Sequence, residues 1–127
     1  MKYLECIELL NNALQLLRDG QREQVPVARL PEVQTLVTRV MLRLTDLPLA
    51  MVRCNDVIGA MDIAQRRKDM LNLTQRMRDI IVNGLHDCLD TVCDAGWDYY
   101  TEHDVPISED TKPLLTTLVA NHFNRGA

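Results

Sequence analysis

Aromatic side chains are scarce in this chain: one Trp, one Phe and three Tyr make up 4% of its 127 residues. A β-sandwich fills its pleated faces with aromatic and β-branched residues, so the shortage favours helices packed through Leu, Met, Val and Ala. The sequence also lacks alternating apolar–polar runs and any Asn-Gly or Asp-Gly pair between such runs, the usual marks of strands and hairpins. Its longest apolar stretch, "LPLAMV", is six residues, against about 20 for a membrane-spanning helix. At the N-terminus Glu5 and Glu8 interrupt the segment where a signal peptide would need an unbroken apolar run. The expectation is a soluble, cytoplasmic protein with no membrane association.

Other absences bear on chemistry. The four cysteines, at 6, 54, 88 and 93, form no CxxC pair, which argues against both a zinc module and a disulfide framework. There is no Gly-rich phosphate loop, GxSxG elbow or HExxH helix, and no Glu-x-x-His pair for a carboxylate-bridged di-iron bundle. The expectation is a non-catalytic protein with neither cofactor nor metal. Apolar residues at 46% and charged residues at 25% are ordinary globular composition, enough for one domain spanning residues 1–127.

What the chain does have is helical periodicity. Tyr3, Ile7, Leu10, Leu14 and Leu17 recur at steps of three and four, widened by Cys6, Ala13 and Leu16. Gly20 stops that helix, and residues 20–30 read as a loop, the first place to expect mobility. Pro31 suits the first turn of a second helix carrying Val33, Val37, Val40, Met41 and Leu44. Pro48 ends it and opens a third, with Asp46 as a cap.

From Pro48 to Tyr100 no proline interrupts the helical pattern, but the apolar face changes direction. Ala50, Cys54, Val57, Met61 and Ala64 share one face, and Met70, Met77, Ile81, Leu85, Cys88, Val92 and Ala95 another. In a continuous helix the two would be about 140° apart. Either the helix breaks near residues 65–69 or one long helix serves two partners at once, each face meeting its own; the break is the favoured reading. The expected helices are roughly 2–19, 31–45, 48–64, 69–100 and 109–124: an all-α, compact bundle of four or five helices.

The stretch "HDCLDTVCDAGWDYY", residues 86–100, carries the densest set of chemically active side chains. Cys88 falls with Leu85 and Val92 on the apolar face. His86, Asp90 and Cys93 share another, where N, O and S ligands could converge, but no fourth ligand is apparent and the face reads as solvated. Asp87, Asp90, Asp94 and Asp98 form an acidic stripe. Residues 79–111 hold nine acids and no Lys or Arg, whereas residues 29–78 hold nine Lys and Arg against five acids. The stripe is either a solubilising face or a surface for basic side chains, on a partner or in the chain's own Arg66–Lys68 run. That run could also touch nucleic acid, although a pI near 5.3 and arginines scattered over several helices make such binding an unexpected outcome.

At the C-terminus, "VPISEDTKPLLTTLVANHF" followed by "NRGA" resembles the last helix of small helical phage head–tail connector proteins. The likeness is confined to residues 105–127, and it implies a structural ring component without catalytic residues. The residues themselves point to a helical protein–protein interaction module: an adaptor, chaperone-like or regulatory subunit that self-associates as a homodimer. Its partner-binding residues would be Cys54, Val57 and Met61 on the second-partner face, and Asp87, Asp90, Asp94 and Asp98 on the stripe.

Overall fold

The computed structural model describes residues 2–18, 25–67 and 69–102. Four α-helices account for most of them: α1 (Lys2–Arg18), α2 (Leu30–Arg43), α3 (Pro48–Arg66) and α4 (Gln75–Glu102). Each packs against its sequence neighbours, and α1 closes the ring on α4. Cross-helix contacts show neighbouring helices running in opposite directions. Glu5 at the start of α1 is ion-paired with Arg43 at the end of α2. The Arg29 guanidinium just before α2 donates to the Leu16 carbonyl late in α1 at 2.8 Å. The architecture is an up-down-up-down four-helix bundle, in which antiparallel neighbours need only short connections. The helix expected at 109–124 and its phage-like sequence lie outside the described residues.

The apolar stripes face inward. Ile7, Leu10, Leu17, Val33, Val37, Val40, Leu44, Ala50, Cys54, Met61, Leu85, Cys88 and Val92 are fully buried. No polar or charged residue is buried among the described residues, so the helices associate through aliphatic packing. The polar contacts sit at the margins. Gln34 donates to Asp62 Oδ1 at 2.6 Å and accepts from Gln65 at 3.1 Å, lacing α2 to α3. Asp46, expected to cap α3, instead accepts the Tyr3 hydroxyl at 2.9 Å. Leu47 occupies the position before α3 with no side-chain cap, and Pro48 begins the helix, where a missing amide costs no helical hydrogen bond.

Where one long helix seemed conceivable, the chain breaks and reverses. Helix α3 ends at Arg66, and α4 starts at Gln75 rather than at 69. Two local interactions set that start. The Leu73 amide donates to the Val25 carbonyl at 2.8 Å and the Val27 amide to the Leu71 carbonyl at 2.9 Å, forming an isolated antiparallel bridge at Pro26 and Asn72. Thr74 then caps α4, its hydroxyl accepting the Met77 amide at 3.2 Å. Met70, expected on the apolar face of a helix, therefore lies in the connection. Residues 25–29, expected to be loose, are tied by those same hydrogen bonds, with Val25 and Leu73 buried beneath them.

Candidate interaction face

The reversal at 67–74 determines which surface is left open. Because α4 runs back along α3, the two apolar faces that diverge in sequence turn toward each other. Arg53 Nη1 lies 4.0 Å from Asp87 Oδ1. Val57 is closely packed on Gly84, whose bare Cα lets the helices approach: a β-carbon added there would collide with Val57 Cγ2. Cys54 and Cys88, the residues that follow Arg53 and Asp87, share a side-chain hydrogen bond inside the core. That bond holds the Cys88 thiol far above its ordinary pKa, with burial adding to the effect, and it lowers that of Cys54.

The expected partner face is thereby corrected. Cys54, Val57 and Met61 are buried, with Ala64 beside them, because α4 supplies the apolar cover within the same chain. Cys93 is corrected too: it is 0% exposed rather than on a solvated face. His86 lies beside α1, where the Arg18 guanidinium approaches its Nε2 at 3.4 Å. A guanidinium only donates, so Nε2 is the accepting nitrogen. Among the described residues no group of three or more His, Cys, Asp or Glu is placed to hold a metal ion. Nor is any helix among them long and apolar enough to cross a membrane.

The acidic stripe is partly as expected. Asp87, Asp94 and Asp98 are exposed along α4, and Asp90 is half-buried. Among the described residues Asp87 lies 4.0 Å from the Arg53 guanidinium of α3, and Arg67 of the basic run pairs with Asp69 at 3.5 Å.

Open apolar surface does exist, on the opposite side of α3. Leu49, Val52 and Ile63 are 57%, 57% and 62% exposed, and Ile80 of α4 is 52% exposed. At 100° per residue, Leu49, Val52, Asp56, Gly59 and Ile63 lie along one outward stripe of α3. A shallow groove of about 330 Å³ runs beside it, bounded by Arg53, Asp56, Ala60, Ile80, Asn83 and Asp87. Sequence periodicity missed this face because it was sought on the stronger stripe, which the core claims. The available signal was apolar residues at 49, 52 and 63, outside that stripe.

On this face Arg53 and Asp87 make one long ion pair at 4.0 Å, and Asn83 and Asp56 stand exposed beside it. Aliphatic side chains on this face lie beside charged and polar ones. No protein-family model matches this chain, and neither does any curated protein or solved structure.

Proposed function

We propose that this protein is a non-catalytic helical protein–protein interaction module, an adaptor or regulatory subunit that also self-associates, and that it works through the outer face of α3 and α4. The observation that carries this reading is the set of four large aliphatic side chains, Leu49, Val52, Ile63 and Ile80, each more than half exposed on two adjacent helices. Single exposed apolar residues are ordinary, but a grouped set rimmed by charge is characteristic of a contact surface. The acidic edge of α4 gives the surface a means of selecting partners by charge.

A photo-crosslinking residue placed at Ile63 in the native host tests the reading. It should capture a discrete protein, whether another chain or a second copy of this one. The same probe at Thr35, exposed on α2, should not. Equal capture at both positions, or none at Ile63, would overturn the reading.

A further inference from the structure

The charges around the apolar face are not mixed at random. Arg66 closes α3 and Arg76 opens α4, so both stand at the corner where the chain reverses, and both are exposed. Asp87 lies toward the other end of the face, level with Arg53, and exposed Asp94 and Asp98 continue that end along α4. Asp56 is also exposed midway along α3, and Asp79 is exposed near Arg76. The surface is thus richer in arginine toward one end and in aspartate toward the other, with Val52, Ile63 and Ile80 exposed between and Asp56 among them.

The α3 stripe has a matching internal order. Val52 and Ile63 lie at equal distances from a midpoint between Asp56 and Gly59. Gly59 is a gap in the stripe: a β-carbon there would meet nothing within 4 Å. Turned end for end, the stripe places Val52 over Ile63 and Asp56 over Gly59, so that each Asp56 side chain meets the gap left by Gly59 of the other copy. A surface that matches its own reversed copy is what a twofold interface requires.

We infer that the occupant of this face is a second copy of the chain, docked with α3 antiparallel to α3 and α4 antiparallel to α4. This rests on the reading of the face as a contact surface and adds its partner and orientation. Charge selects the orientation. A twofold axis parallel to the helices would bring the two arginine corners together. A twofold axis across them sets Arg76 of each copy against the Asp87–Asp94 edge of the other.

The pairing is modest in size. Helix α3 has 19 residues, so the face is about 28 Å long, and two helices side by side are roughly 20 Å across. That offers on the order of 500 Å² per copy, below the roughly 800 Å² of a standard interface. An interface of that size is that of a reversible dimer rather than an obligate one.

Sedimentation equilibrium and native mass spectrometry of the full chain test this with two charge swaps, Arg76→Glu and Asp87→Lys. Each alone places like charges across the twofold axis and should weaken dimerisation by about tenfold or more. Mixed together, the two variants should form a one-to-one heterodimer, because the reversed charge at position 76 of one copy then meets the reversed charge at position 87 of the other, while the unchanged Arg76 and Asp87 still meet. Both sites are exposed, and far-UV circular dichroism confirms the helices in each variant.

A wild-type chain that stays monomeric at high micromolar concentration overturns the inference. So does a dimer indifferent to both swaps, or a mixture that does not pair. The crosslink at Ile63 separates the two levels: capture of a different protein by a monomeric chain leaves the interaction reading standing and removes only self-pairing.

Discussion

Val57 sits directly against the bare Cα of Gly84, and this contact sets how closely α3 and α4 approach. Valine is held to one rotamer in a helix and cannot swing aside. Gly84→Ala should therefore destabilise the protein by about 1–3 kcal/mol through overpacking, despite alanine's better helix propensity. Gly59→Ala meets no neighbour and should stabilise the monomer by about 0.5–1 kcal/mol. Urea denaturation of both variants at low protein concentration checks the opposite signs.

Met61 shows why the covered face cannot be probed as a surface. The side chain is 0% exposed, so Met61→Ala should cost about 2–5 kcal/mol from lost burial and the cavity left behind. Met61→Glu places an unpaired carboxylate in the same space and should abolish the folded state rather than dissociate a dimer. Circular dichroism melts distinguish the two outcomes: loss of helicity for the glutamate variant, and a lowered Tm with helicity kept for the alanine variant.

Thr74 closes the first turn of α4 through the Met77 amide. Thr74→Ala should lower stability by about 1 kcal/mol, and Thr74→Ser should restore most of it. The comparison isolates the hydroxyl, since serine keeps the cap and loses only a methyl group.

The cysteines give a kinetic test of the core. Cys6, Cys54, Cys88 and Cys93 are all buried, so a thiol reagent under native conditions should label each of them slowly, at rates that follow opening of the bundle. Within the hydrogen-bonded pair, the Cys88 thiol is held protonated by its bond to Cys54 and by burial. It should remain the less reactive of the two as pH rises above 9.0, the ordinary thiol value. Fast labelling of Cys93 in the folded protein would contradict its place in the core.

Much of the fold was legible in the sequence because a helix's buried stripe depends on nothing beyond its own periodicity. The stripes through Ile7, Val37, Met61 and Leu85 point inward in the bundle, as their spacing requires. The change of apolar face after Ala64 correctly indicated a break, since no straight helix could bury both faces on one core. What periodicity cannot supply is direction in space. The faces led by Met61 and Leu85 looked like two surfaces for two partners, and became one core because the chain reverses between them. The start of α4 at Gln75 likewise depended on Leu73 finding the Val25 carbonyl across the loop, a contact with no periodic signature. The exposure of Cys93 and of Val52 was decided in the same way. Each is apolar, and only the position of the neighbouring helix determines which is covered. The amino-acid sequence by itself determined the helices and their inward stripes, because those arise from local geometry and the hydrophobic effect. Tertiary structure alone decided which apolar residues were left in water on α3 and α4, because a bundle of four helices can cover its core without covering every apolar side chain.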